Sequence, residues 1–216
     1  MAIWTIEVLN DSGGVKSYAV LAAPPEVTQG GRPVPVHSTA WIPFDYVEPG
    51  DRGTATFSEA VYALFTWPVT LAPKVVVPRG FTEAANPVAR DLITITEMGR
   101  GRLSTMPTPG GAPPESFAIF TKADFPADGP VVLGMSKLGA YRSPTPVAAF
   151  AAQPHVTFDI KPGARFHVVE GRYARGKVID IAHTPNAVID FAGKEKAVAT
   201  VTQGADGAFT VVYSET

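Results

Sequence analysis

The stretch Val156-Thr157-Phe158-Asp159-Ile160-Lys161-Pro162-Gly163-Ala164-Arg165-Phe166-His167-Val168-Val169 decides the fold class. Phe158 and Ile160 alternate with Thr157, Asp159 and Lys161, and Phe166 and Val168 alternate with Arg165 and His167. That is the period of two expected of strands with one buried face. Pro162 and Gly163 stand at the centre of the four intervening residues, where a type II turn needs φ > 0 at its third position. The stretch therefore reads as a β-hairpin. Direct pairing puts Phe158 opposite His167, Asp159 opposite Phe166 and His155 opposite Glu170.

The same grammar extends in both directions. Trp4, Ile6 and Val8 alternate with polar neighbours, and Asn10-Asp11-Ser12-Gly13-Gly14 supplies turn residues. Residues 16–23 read as the return strand of a second hairpin, ended by Pro24-Pro25. Residues 34–44 are extended but carry Pro35 and Pro43, which makes them an edge strand or a draped loop. Glu48-Pro49-Gly50-Asp51 is a turn, after which a strand restarts at Thr54. The segment 59–67 has some helical spacing, but its aromatics and the following Pro68 assign it to a strand. Residues 69–77 read as a strand broken at Pro73, residues 79–90 as a loop and residues 92–96 as a strand. Further strands are expected at 117–121, 131–135, 147–151, 177–182, 187–191, 198–202 and 209–213, the last two joined by Ala205-Asp206-Gly207. The total is about thirteen to fifteen short strands with turn signals between them, the pattern of an all-β antiparallel β-sandwich or flattened barrel. We expect one domain over residues 1–216, with a Pro/Gly-rich loop near 99–114. Trp4, Ile6, Val8, Phe158, Ile160, Phe191, Phe209 and Val211 are the expected core.

Composition narrows the function classes. The 216 residues include 20 Gly and 21 Pro, too much punctuation for a helical bundle. A formal charge of −2 argues against a basic nucleic-acid surface or a polybasic membrane anchor. With no cysteine there are no disulfides, thiolate metal sites or cysteine nucleophiles. The start, Met1-Ala2-Ile3-Trp4-Thr5-Ile6-Glu7-Val8, lacks a basic segment and is not expected to act as a signal peptide. No apolar run approaches the roughly 18 residues of a membrane span. The expectation is a soluble, cytoplasmic protein.

The opening Trp4-Thr5-Ile6-Glu7-Val8-Leu9-Asn10-Asp11-Ser12-Gly13, the run Pro146-Val147-Ala148-Ala149-Phe150, and Gly171-Arg172-Tyr173 with Gly176-Lys177-Val178-Ile179-Asp180 together resemble a group of small fungal intracellular all-β proteins. The resemblance implies the fold class and a cytosolic location, and it transfers no catalytic residue.

Chemistry is sparsely marked. His37, His155, His167 and His183 form no HxH or HExxH arrangement, so no metal and no other cofactor is expected. Leu133-Gly134-Met135-Ser136-Lys137-Leu138-Gly139 misses the nucleophile-elbow spacing. Gly99-Arg100-Gly101-Arg102 lacks a phosphate-loop context. Arg165, Arg172, Arg175 and Lys177 form a basic cluster, read as a solvated face or an anion contact. Trp41, Phe44, Tyr46, Trp67 and Tyr141 lie in proline-interrupted or loop-like segments. There they either plug the core or line a ligand mouth. The expected function is binding of a small, largely apolar organic molecule in a cavity of the β-fold, with those five aromatics as its walls. A catalytic version is a cofactor-free cyclase or isomerase, with His37 or His167 as acid–base group and Arg165 or Arg172 polarising a carbonyl. The alternative is a lectin-like carbohydrate-binding module without catalysis. Neither nucleic acid nor membrane is expected as a partner, and self-association is left open.

Overall fold

The computed structural model describes residues 2–97, 102–103, 107–122, 131–139 and 143–215. Among these, strands dominate and the helical part is a 3-10 turn at Ile181–His183. The strands form four open sheets. In sheet A, β1 (Ile3–Asn10) lies between β7 (Arg52–Ser58) and β19 (Lys196–Gln203), with β20 (Phe209–Ser214) outside β19. Sheet B has β2 (Lys16–Ala22) and β16 (Arg165–Glu170) at its centre and β6 (Ile42–Val47) and β18 (Asn186–Asp190) at its edges. Sheet C runs, by strand order, β11 (Arg102–Leu103), β10 (Leu92–Glu97), β12 (Phe117–Thr121), β15 (Thr157–Lys161), β3 (Glu26–Gln29) and β4 (Arg32–Pro33). Sheet D runs β17 (Val178–Ile179), β5 (His37–Thr39), β14 (Pro144–Ala151), β13 (Val132–Leu138), β8 (Val61–Thr66) and β9 (Phe81–Ala85). The all-β expectation holds, and the sheets stack without closing a barrel.

The hairpin expected at 156–169 does not form. Gly163 does not take a positive φ, so the type II turn is absent and the chain passes from sheet C to sheet B. β15 pairs with β12 and β3, placing Phe158 opposite Ile119 and Gln29. β16 pairs with β18 and β2, placing His167 opposite Val188 and Leu21. Each strand thereby gains two partners where a hairpin offers one. Phe158 packs on Phe150 of β14, ring centres 5.1 Å apart, while Phe166 packs among the rings between sheets A and B. The first expected hairpin fails in the same way. The turn after β1 exists, with Gly13 at φ 82° and the buried Asn10 amide donating to the carbonyls of Gly14 and Val47. It delivers β2 to sheet B, while β1 takes β19 as a parallel neighbour and β7 as an antiparallel one.

Two further expectations are corrected. Residues 69–77 form no ladder beyond a single bridge between Val76 and Lys177. Pro73 lacks a donor, and the segment instead lies over the outer face of sheet D, where Val69 and Val77 cover Leu64, Val132, Ala149 and Val178. The supposed loop 79–90 contains β9, paired to β8. The turns expected at 48–51 and 205–207 form, closed by Asp51 N donating to Glu48 O and Gly207 N to Gly204 O. The segment 59–67 does yield a strand, β8. Part of the 99–114 loop, residues 99–101 and 104–106, lies outside the described residues.

One apolar cluster runs through all four sheets. Trp4, Ile6, Val8, Phe158, Ile160 and Phe191 are buried in it, whereas Phe209 and Val211 are only partly buried because β20 is an edge strand. A polar bolt joins sheets A and B. The Tyr18 hydroxyl donates to Gln203 Oε1 at 2.9 Å, Gln203 Nε2 donates to Glu170 Oε2 at 2.6 Å, and Lys16 Nζ holds the other Glu170 oxygen at 2.6 Å. Burial, helped by the Glu170 charge, pushes the Tyr18 phenol up to about 12.

Phe166→Ala is expected to destabilise the fold by about 3–5 kcal/mol, because it opens a cavity among rings that cannot collapse. Phe209→Ala, on the edge strand, is expected to lose less than half as much. Urea unfolding of both variants checks this; equal losses would mean that the ring cluster does not dominate the core.

Candidate functional site

Outside sheet D, the segment ending at Val77 runs beside the one leading to β17. Val77 N donates to Gly176 O at 2.8 Å, and Gly176 N donates to Ala40 O at 2.8 Å. Beside this crossing lies a cleft of about 400 Å³, lined by Val77, Pro78, Arg79, Thr145, Pro146 and Arg175. Val77, Thr145 and Pro146 are buried and make the floor, while Pro78 and the two arginines are exposed and make the rim. Among the described residues, the lining carries two guanidinium groups.

Glycines set where the arginines stand. Gly176 follows Arg175 with φ 78°, and a Cβ there would collide with the carbonyl oxygen of Val77. Gly80 follows Arg79, and a Cβ there would collide with the carbonyl oxygen of Phe65. Only glycine lets the two backbones approach this closely. Arg79 Nη1 also donates to Ser143 Oγ at 2.6 Å.

The neighbourhood holds two buried polar groups of interest. Ser136 lies opposite Pro146 in the ladder, and its hydroxyl is buried with no hydrogen-bond partner among the described residues. Lys137 is 3% exposed, its Nζ donating to the carbonyls of Glu59 and Ala60 at 3.2 and 3.3 Å. Burial pushes its ammonium down to about 8, against an upward pull from the Glu59 carboxylate.

The residues singled out in the sequence occupy several places. Trp41 is fully buried between Phe57 and Phe166, its Nε1 without a partner among the described residues. Phe44 packs on Gly53. Tyr46 is exposed at φ 57° beneath the Arg172 guanidinium, 4.9 Å from the ring centre. Trp67 is 40% exposed and stacks on Phe81 with ring centres 5.7 Å apart. Tyr141 lies outside the described residues. No ring–ring contact joins Trp41, Phe44, Tyr46 and Trp67 to one another among the described residues; Trp41 and Trp67 sit in separate ring groups. His167 Nδ1 meets Asn186 Oδ1 at 2.8 Å, Arg165 pairs with Asp190 and Arg172 with Asp45. His37 lies opposite Ala149, a member of the outer-face cluster, so it stands on the same face of sheet D as the cleft. Of the basic cluster 165–177, Arg175 is the member that lines the cleft. Among the described residues no three His, Asp or Glu side chains group as a metal site.

The sequence reading missed Arg79 and the cleft itself. Arg79-Gly80 and Arg175-Gly176 share their Arg-Gly pattern with 52–53 and 100–101, and nothing in their spacing shows that the two segments cross.

The fold is thus that of an all-β protein of stacked open sheets, with a basic-rimmed cleft on an outer face. The sequence model of the RhiA family matches residues 2–214, and the chain belongs to that family. The match carries no link to fungi. No curated protein and no solved structure matches the chain. Among the described residues no helix is long and apolar enough to cross a membrane.

Two outcomes follow from the buried polar groups. Unfolded, Lys137 keeps its proton to its ordinary value of 10.5; folded, it releases it near 8. Between these values the unfolded chain binds more protons, so stability from this group climbs as pH rises through that window. Relative to Lys137→Met, the wild type is expected to gain roughly 1–3 kcal/mol between pH 7.5 and 10; parallel urea midpoints for the two proteins across that range would refute the assignment. Ser136→Ala removes a buried unpaired hydroxyl and is expected to leave stability unchanged or raise it by about 1 kcal/mol. A loss of that size in the same assay would show that the hydroxyl has a partner.

Proposed function

We propose that the protein binds a small organic molecule with a largely apolar body in the cleft over sheet D. The observation that carries this is the cleft's build: about 400 Å³, with a buried floor of Val77, Thr145 and Pro146 under an exposed rim. Volumes of roughly 300–1,000 Å³ are those of small-molecule sites, and Val77, Pro78 and Pro146 supply apolar contact here. Binding is the primary activity in this reading. A cofactor-free cyclisation or isomerisation would need an acid–base group within reach of the ligand, and His37 is our candidate because it shares the cleft's face. A cytoplasmic site of action belongs to the same proposal, since a cysteine-free chain gains no disulfide stabilisation from an oxidising compartment.

The exposed stacked pair Trp67 and Phe81 favours a second reading, a carbohydrate platform, because sugars stack on such rings.

A thermal-shift screen of small organic molecules followed by amide chemical-shift mapping separates the two. Perturbations centred on Val77, Thr145 and Arg175 are expected. Perturbations centred on Trp67 and Phe81, with saccharides as the binding compounds, would replace the first reading by the second.

A further inference from the structure

We infer that the ligand of the cleft carries a carbonyl oxygen, seated in the gap beside Gly139 between the indole N–H of Trp41 and the hydroxyl of Thr145. This rests on the small-molecule reading of the same cleft and names the class of molecule.

The backbone brings Trp41 to the cleft. Thr39 Oγ1 donates to the carbonyl of Pro146, a floor residue, at 2.7 Å, and the Ala40 carbonyl accepts from Gly176 N beside Val77. The Trp41 ring is packed against Phe57 and Phe166, with centres 4.7 and 6.0 Å away, which fixes the direction of its N–H. A buried indole N–H ordinarily finds an acceptor, and an unpaired one costs its full desolvation. That of Trp41 is buried and has no partner among the described residues.

Gly139 shows where the acceptor belongs. A Cβ there would lie 3.6 Å from Trp41 Nε1 and 3.4 Å from Thr145 Oγ1, and beyond the glycine's chain neighbours no other heavy atom of the described residues comes within 4 Å. Both polar groups therefore face one gap, left because Gly139 has no side chain. Thr145 lines the cleft and Gly139 is only half-buried, so the gap adjoins the cleft floor. Gly139 N also donates to Ser143 O, and Ser143 Oγ accepts from the rim residue Arg79.

Chemistry names the occupant. An indole nitrogen only donates. The Thr145 hydroxyl reaches Ser143 O at a long 3.4 Å, against about 2.7–2.8 Å for a well-made O–H···O bond, so it is free to turn toward the gap. Two donors facing one point suit an oxygen with two lone pairs, and a carbonyl oxygen accepts both without a proton of its own to place. It is also terminal, as a gap the size of a side-chain carbon requires; an ether oxygen brings carbon on both sides.

The test titrates cyclic and aryl ketones of increasing size, and the alkenes in which C=CH2 replaces C=O, into nitrogen-15-labelled protein while the indole N–H signals are recorded. At least one ketone is expected to bind about fivefold or more tighter than its alkene. It should shift the Trp41 indole signal and leave that of Trp4, which donates to Lys194 O, in place. Trp41→Phe assigns the signal and is expected to bring ketone binding down to that of the alkene. Gly139 has no positive φ, and a Cβ there makes contacts of ordinary length. Gly139→Ala is therefore expected to keep the wild-type melting temperature, fill the gap and erase the ketone preference, so the test does not depend on the tryptophan variant folding. Equal binding of ketones and alkenes would overturn the carbonyl inference and leave the small-molecule reading standing. Binding of neither set at millimolar concentration would overturn both. A ketone preference that leaves the Trp41 signal unmoved, or that survives Gly139→Ala, would place the carbonyl elsewhere and overturn the inference.

Discussion

Five rings between sheets A and B hold the molecule together: Trp4, Trp41, Phe57, Phe166 and Phe191. Trp4 stacks on Phe191 with centres 5.4 Å apart, Trp41 meets Phe57 edge-on at 4.7 Å, and Phe57 meets Phe166 at 4.9 Å. They come from five separate segments spread over nearly the whole chain. Trp4 also donates from Nε1 to the carbonyl of Lys194 at 2.8 Å, beside the parallel pairing of β1 with β19. The cluster therefore closes the two ends of the chain on one another. Such closure forfeits conformational entropy before it gains contacts, and aromatic burial on this scale supplies the return.

From that cluster the remaining architecture follows. Sheets A and B meet across the rings, and the polar bolt of Tyr18, Gln203, Glu170 and Lys16 fixes their mutual position from the side. The apolar core continues through Phe150 and Phe158 between sheets D and C. Sheet D thus has its inner face committed to the core and must cover its outer face separately. Prolines bar residues 69–78 from joining the sheet as a strand, and the segment lies across that outer face instead. The cleft is the space left where this cover crosses the approach to β17. The site is a consequence of how an apolar face was covered, and its arginines are carried on the covering segments.

The all-β class and most strands were legible in local pattern, because alternation and turn residues act over a few positions; the missing strand at 69–77 and the unexpected one at Phe81–Ala85 were not. Trp4, Ile6, Val8, Phe158 and Ile160 are buried as their period of two requires. Partnership was not legible. β15 and β16 are adjacent in sequence and carry a proline–glycine pair between them, yet belong to different sheets, because that choice depends on which distant strands compete for each edge. The same holds for Trp41, whose proline-flanked setting suits a surface mouth and whose burial is decided by Phe57 and Phe166.

The sequence by itself determined most of the strands, the turns at 48–51 and 205–207, the apolar faces and the lack of thiol chemistry, all of them properties of single residues and near neighbours. The tertiary structure alone decided which strands pair, and that Arg79 and Arg175 share a cleft. Convergence of residues so far apart is set by the crossing of two segments over sheet D, and no local propensity encodes a crossing. Arg79-Gly80 and Arg175-Gly176 are two of four Arg-Gly dipeptides in the sequence. Their glycines acquire meaning only when a neighbouring backbone lies close enough to exclude a Cβ.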